Sequence, residues 1–117
     1  MGSEEGGRAL GHVQVQFAID DPVRADAIVE SLLDRHLVAC GQRTGPVRSR
    51  YRWQGSLEEA EEWLVLLKTR TELTDQVIEA VVARHPYETP EVIAVPVVGG
   101  APGYLEWIDQ ATARGPR

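Results

Sequence analysis

The sequence has little of what several classes of protein require. Among 117 residues it has one cysteine, Cys40, which excludes an internal disulfide framework and a metal cage built from cysteines alone. No apolar run comes near the length of about 20 residues that crosses a bilayer. The N-terminus is acidic and glycine-rich, without the basic start and apolar stretch of a signal peptide. We therefore expect a cytoplasmic protein with no membrane partner.

The sequence also lacks an excess of basic residues. Twelve Lys and Arg stand against 18 Asp and Glu, for a formal net charge of −6. This balance argues against binding of nucleic acid through a general basic surface. The apolar fraction of 43% is that of an ordinary globular chain, and the length suits one core. We expect a single domain over residues 12–113, with a flexible N-terminal tail over residues 1–11 and a C-terminal tail over residues 114–117.

What the sequence does have is a clear hydrophobic pattern. Alternating apolar residues predict strands, and apolar residues at helical spacing predict helices. Gly41, Gly45 and Pro46 predict a bulge in the second strand, and Pro96 predicts that the last strand lies at an edge. The predicted strands cover residues 12–19, 38–53, 59–70 and 91–98, and the predicted helices cover 22–37, 72–84 and 104–113.

This order predicts an α+β fold of the ferredoxin-like βαββαβ type. It has an antiparallel sheet, a long hairpin between the second and third strands, and a C-terminal helix. Both helices of the repeat lie on one face of such a sheet, so its other face needs cover. Trp63 and the apolar residues near it are expected on that face. A partner subunit is the simplest cover.

Several motifs together resemble the CutA family of divalent-cation tolerance proteins, over about residues 12–113. The motifs are Leu37-Val-Ala-Cys40, then Val47-x-Ser49-x-Tyr51-x-Trp53-x-Gly55, then Glu62 ahead of Leu67-Lys68-Thr69, and His85-Pro86-Tyr87-Glu88-Thr89-Pro90-Glu91. The resemblance implies a ferredoxin-like fold and a tight homotrimer, whose subunits pair sheet edges through the hairpin Val47–Arg70. It also implies an architecture similar to the trimeric PII signalling proteins. Copper-binding members carry Cys and His where this chain has Phe17 and Arg84.

A metal site is one interpretation of the segment that follows the second helix. His85, Glu88 and Glu91 place an imidazole and two carboxylates close together in the sequence, and such groups suit Cu or Zn. No cofactor is obligatory, and a divalent metal would be held weakly, with further ligands from a neighbouring subunit. The alternative is structural: His85 caps the helix end, and Glu91 accepts hydrogen bonds from loop amides or Lys68.

A second candidate site is an aromatic cleft between subunits that holds a small molecule. Its predicted residues are Tyr51, Trp53, Glu62, Lys68, Tyr87 and Trp107. The alternative interpretation is subunit packing, for which Trp and Tyr are well suited. Cys40 is either a reactive thiol or, on the general habit of free cysteines, a packed and inert one.

The remaining basic feature is a stripe on the second strand. Arg48, Arg50 and Arg52 point the same way and face an acidic cluster across the hairpin. Cross-strand pairing with that cluster is favoured over phosphate binding.

Three classes of function share the predicted topology. Acylphosphatase-type enzymes need a phosphate-binding loop after the first strand, where this chain has Asp20 and Asp21. RNA-recognition modules need aromatic residues in a Gly-rich third strand and a basic surface, which this sequence lacks. We therefore expect a non-enzymatic, CutA-like trimeric module that binds divalent metal (copper) weakly. The alternative is a PII-like sensor that binds a small ligand in the intersubunit cleft without metal.

Overall fold

A computed structural model describes residues 11–113. Its strands are β1 (His12–Ile19), β2 (Cys40–Trp53), β3 (Ser56–Arg70) and β4 (Val92–Pro96), and its α-helices are α1 (Pro22–Asp34), α2 (Thr74–Arg84) and α3 (Pro102–Ala111). A 3₁₀ turn over Thr71–Leu73 leads into α2. The predicted tails lie outside the described residues except for Gly11, whose carbonyl accepts a hydrogen bond from the Thr71 amide.

The four strands form one antiparallel sheet in the order β2-β3-β1-β4. This order confirms the predicted ferredoxin-like α+β fold. The edge position predicted for the last strand is also confirmed, because β4 pairs only with β1 among the described strands. Pro96 closes that strand, where the missing N–H is tolerated.

The core lies between the sheet and the helices α1 and α2. Every second residue of β1 points into it, as the alternation predicted. Apolar stripes of the two helices cover these side chains, and Phe17 lies fully buried at the centre. The core includes Val13, Val15, Phe17 and Ile19 of β1, Val65 and Leu67 of β3, and Ala25, Ile28, Leu32, Val77 and Val81 of the helices.

Helix α1 is shorter than predicted. Its N-terminus is as expected, with the Asp21 carboxylate accepting hydrogen bonds from the Val23 and Arg24 amides. The predicted end at residue 37 was wrong, because the chain leaves the helix after Asp34 through a residue of positive φ, His36 (57°). The Leu37 amide bonds to the Leu32 carbonyl, which is a Schellman end.

The hairpin of β2 and β3 is the longest feature of the fold. It closes through Gln54 and Gly55, both at positive φ (49° and 84°), as a two-residue hairpin turn requires. The third strand begins at Ser56, three residues earlier than predicted, because the outer part of the hairpin also pairs. The predicted bulge is confirmed as a register shift between Arg43 and Pro46.

We call the sheet face opposite α1 and α2 the outer face. Helix α3 covers one end of it, where Asp109 bonds to His12 and Thr112 accepts from Arg70. The rest is open: Ile93 and Val95 are 46% and 41% exposed. Leu64 and Leu66 alternate onto this face, half-buried. Trp63 was wrongly assigned to it, because it shares the helix-facing register of Val65 and Leu67. No helix among the described residues is long and apolar enough to cross a membrane.

Candidate ligand cleft

A cleft of about 810 Å³ lies between the hairpin and the segment that follows α2. The hairpin supplies one wall through alternate residues of β2, and β3 supplies the floor. The segment between α2 and β4 supplies the opposite wall. The lining residues are Asp20, Ser49, Arg50, Tyr51, Trp53, Ala60, Glu62, Tyr87, Glu88, Thr89, Pro90 and Glu91.

A hydrogen bond between a buried carboxylate and a tyrosine joins the floor of the cleft to the wall opposite β2. The Tyr87 hydroxyl donates a hydrogen bond of 2.9 Å to Glu62 Oε2. Glu62 is only 6% exposed although it carries a charge. Burial, and then this hydrogen bond, raise the pKa of Tyr87 well above its ordinary value. The tyrosine therefore remains a neutral donor, which is what a buried carboxylate requires.

His85 supports Tyr87 from behind. The two rings pack edge to face with centroids 4.6 Å apart, and Phe17 contacts the other side of the imidazole at 6.0 Å. His85 Nδ1 accepts the Tyr87 amide hydrogen at 3.2 Å. The proton must then be on Nε2, which lies 2.7 Å from the Ala18 carbonyl oxygen and donates to it. Both ring nitrogens are thus occupied by backbone groups.

The predicted metal group is not assembled within the chain. Glu88 and Glu91 line the cleft, whereas His85 lies behind it and borders a smaller groove between α1 and α2. Among residues 11–113 no three His, Cys, Asp or Glu side chains are placed to hold a metal ion. Neither His85 nitrogen has a free lone pair for a metal, so the three residues as placed do not form a copper or zinc site within one chain. The structural interpretation of His85 is the better one, although its ring bonds to β1 and not to the helix end.

Four of the six predicted cleft residues line the cleft: Tyr51, Trp53, Glu62 and Tyr87. Lys68 does not, because it lies six residues along β3 from Glu62, a separation of about 20 Å. Its ammonium donates instead to Gln42 Oε1 at 3.0 Å.

Trp107 is also outside the cleft. It lies on α3 with its ring 5.5 Å from that of Tyr104. Helix α3 covers the far end of the outer face, so the two aromatic groups are separate.

Sequence reasoning missed several lining residues. Ser49 could have been found, because it alternates onto the same face of β2 as Tyr51 and Trp53. Asp20 could have been found from the sheet order, since Ile19 pairs with Trp63, the neighbour of Glu62. Thr89 and Pro90 carried no signal, because their position depends on the turn after α2.

The remaining predicted groups lie outside the cleft or at its margin. Cys40 is half-buried with its sulfur 4.0 Å from the Tyr104 hydroxyl. Arg50 Nε bonds Glu59 Oε2 at 2.9 Å, and Arg48 lies 3.5 Å from the same oxygen. The predicted cross-strand pairing is therefore present for two of the three arginines. Such exposed pairs contribute at most about 1 kcal/mol each.

Comparisons with known families and proteins agree on one group. The sequence model of the CutA1 divalent ion tolerance protein family matches residues 13–111. The chloroplastic protein CutA of Arabidopsis thaliana is 32% identical over 109 residues, 93% of this chain. The divalent-cation tolerance protein CutA of Thermus thermophilus is 39% identical over 88 residues, 75% of this chain and 85% of its own. The chain spans 60% of the Arabidopsis protein's length.

Solved structures give the same result. CutA1 of the psychrotrophic bacterium Shewanella sp. SIB1 superposes with a TM-score of 0.86 at 30% identity, covering 90% of this chain and 98% of its own. CutA of Archaeoglobus fulgidus, described as a periplasmic divalent cation tolerance protein, gives a TM-score of 0.83 at 33% identity, covering 86% and 98%. The fold of the described residues is therefore that of these proteins.

Proposed function

The chain belongs to the CutA1 divalent ion tolerance protein family, and from this membership we propose that it acts as a homotrimeric, non-enzymatic binding module in divalent-cation tolerance. Its binding site is the cleft, which holds a small ligand rather than a chelated metal. The observation that carries this proposal is the pairing of a nearly buried Glu62 with Tyr87 at the base of an open, aromatic-lined cleft of about 810 Å³.

The geometry favours a small ligand over a chelated metal. A cleft of this volume, with aromatic walls and a few oriented polar groups, is typical of small-molecule sites. Chelated copper or zinc would need convergent nitrogen, sulfur or carboxylate ligands, and His85 supplies none. Metal binding at His85, Glu88 and Glu91 therefore has less support than ligand binding.

The open part of the outer face supports the trimer. Ile93, Val95, Leu64 and Leu66 leave apolar surface on an otherwise complete fold. The tip of the hairpin adds Leu57, which is 71% exposed and alternates onto the face of β3 opposite that of the cleft residues Ala60 and Glu62. Exposed apolar residues grouped on one face are typical of an interface between subunits.

The lining of the cleft supports a role without catalysis. Its hydroxyl groups are those of Ser49 and Thr89 besides the tyrosines. Within the described residues neither hydroxyl is hydrogen-bonded to a histidine or carboxylate that would activate it as a nucleophile. We place the protein in the cytoplasm, where a single unpaired cysteine is usual.

Native mass spectrometry with and without added Cu(II) and Zn(II) tests the choice between a ligand cleft and a metal site. We expect the assembly to remain free of stoichiometric metal, and Glu88→Gln with Glu91→Gln to leave this unchanged. One metal per chain that is lost in the Glu88→Gln, Glu91→Gln variant would contradict the proposal. That variant changes two exposed side chains, so it avoids the risk of unfolding that His85→Ala carries.

A further inference from the structure

The cleft combines two features that select the same kind of ligand. We propose that it binds an organic ammonium cation, held by carboxylates against aromatic rings. This inference rests on the proposed function, since it names the ligand class of the same cleft.

The charge around the cleft is strongly negative. Asp20, Glu62, Glu88 and Glu91 all line it. Arg50 is the one basic side chain among the described residues that lines it, and it pairs at 2.9 Å with Glu59, which it shares with Arg48. The side chains of Asp20, Glu88 and Glu91 have no hydrogen bond or ion pair within residues 11–113. A phosphate or carboxylate ligand would be repelled, and a cation would be attracted.

Glu62 provides the anchor at the base of the cleft. It is 94% buried, and only its Oε2 atom is bound, by the Tyr87 hydroxyl. Within the part of the chain that the structure describes, its other oxygen has no hydrogen-bond partner. Among the described residues no fully buried side-chain oxygen lacks a partner, so this oxygen is open to the cleft. A cationic ligand can therefore reach it and pair with its charge at a residue that is mostly removed from water.

The aromatic rings decide between an organic cation and a metal ion. Tyr51 and Trp53 are 44% and 41% exposed on the wall of the cleft, and Tyr87 stands opposite them. Ring faces attract ammonium groups, and do so most strongly when the group is methylated and weakly hydrated. The ring faces supply no ligand atom to copper or zinc. The cleft is also far larger than an ion needs.

Tetramethylammonium chloride is the probe, and tert-butanol is its neutral counterpart of similar size. Titration into the full-length protein is followed by the ligand methyl signal in NMR, which moves upfield over an aromatic ring and broadens on binding. Sodium chloride at equal ionic strength controls for screening. We expect tetramethylammonium to bind on the order of tenfold more tightly than tert-butanol.

Matched variants locate the site. Glu62→Gln keeps an acceptor for the Tyr87 hydroxyl but removes the charge, and Trp53→Leu removes one ring; each should weaken tetramethylammonium binding about fivefold or more. Glu79→Gln on α2 and Trp107→Leu on α3 change the same residue types outside the cleft and should leave binding unchanged.

Two results would overturn the inference. If tert-butanol binds as tightly as tetramethylammonium and Trp53→Leu weakens both, the cleft binds ligands without selecting cations, and the proposed function stands. If tetramethylammonium does not bind, or binds equally well to Glu62→Gln, the cationic ligand is wrong. The proposed function is then decided by the mass of the assembly and its metal content.

Discussion

At the scale of single residues, the main result is the changed role of His85. Its sequence position beside two glutamates suggested a metal ligand. In the structure both of its ring nitrogens form hydrogen bonds to the backbone, one to the Ala18 carbonyl and one to the Tyr87 amide. A sequence shows how far His85 lies from its neighbours along the chain. It does not show that the ring will bond to the Ala18 carbonyl on β1, which is distant in sequence. Spacing in the sequence therefore does not distinguish a histidine that joins two elements from one that binds a metal.

The structural role of His85 predicts a loss of stability in His85→Ala. The change leaves the buried Ala18 carbonyl without its donor and removes packing against Phe17 and Tyr87. We expect the free energy of unfolding in urea to fall by about 1–3 kcal/mol. Arg84→Ala, its exposed neighbour, is the control and should change the value by less than about 0.5 kcal/mol. Equal effects of the two changes would contradict this role.

The Tyr87 hydroxyl predicts a pH dependence of stability. Because the pKa of Tyr87 is raised in the folded state, it contributes stability that is complete below the ordinary tyrosine pKa of about 10. This contribution is lost as the pH rises through the folded-state value. Thermal unfolding between pH 9 and pH 12 should therefore show a smaller alkaline decline in Tyr87→Phe than in wild type.

A second tyrosine contributes to the same alkaline decline. Burial, with Cys40 nearby, also raises the pKa of Tyr104. The double variant with Tyr104→Phe should thus decline least. An unchanged alkaline decline in Tyr87→Phe would show that its hydroxyl does not carry this linkage.

At the scale of secondary structure, most of the fold could be predicted from residue periodicity. The alternation in β1 and the helical stripes of α1 and α2 each reflect burial against one neighbour, which a sequence records directly. The end of α1 could not be predicted, because Leu37 is buried by a Schellman turn rather than by another helical turn. The face of Trp63 depends on strand register, and the separation of Lys68 from Glu62 follows from strand length.

Close packing between α1 and the hairpin predicts the effect of adding a side chain at Gly41. A Cβ atom there would lie 2.6 Å from Val29 Cγ1 on α1 and 3.1 Å from Leu67 Cδ2 on β3. We expect Gly41→Ala to lower the free energy of unfolding by about 1–3 kcal/mol through overpacking. Gly45→Ala in the same strand is the matched control, since nothing lies within 4 Å of its Cβ position. Equal denaturation midpoints for the two variants would refute this packing argument.

At the scale of the whole molecule, the hairpin and the outer face indicate assembly. The chain measures 48 × 32 × 23 Å, an elongated shape for its size, with β2 and β3 paired out to the turn at Gln54. An isolated subunit would leave Leu57, Ile93 and Val95 in water. We infer that other copies of the chain cover these residues.

A charge on the outer face should therefore disrupt the proposed trimer. Ile93→Glu would bury a carboxylate in the proposed interface, at a cost that separates the subunits. Val23→Glu is the control, because Val23 is 76% exposed on α1, on the other side of the sheet. Sedimentation velocity should show smaller particles for Ile93→Glu alone. If both variants sediment identically as trimers, Ile93 is not part of the interface.

The most direct test of the account is the solution mass of the wild-type protein at micromolar concentration. Light scattering coupled to size-exclusion chromatography should give a single species of three times the 12.9 kDa chain mass. That result would assign a partner subunit to the open part of the outer face and to Leu57 at the tip of the hairpin. A stable species with the mass of one chain would contradict the account, because the exposed apolar residues would then remain in contact with water.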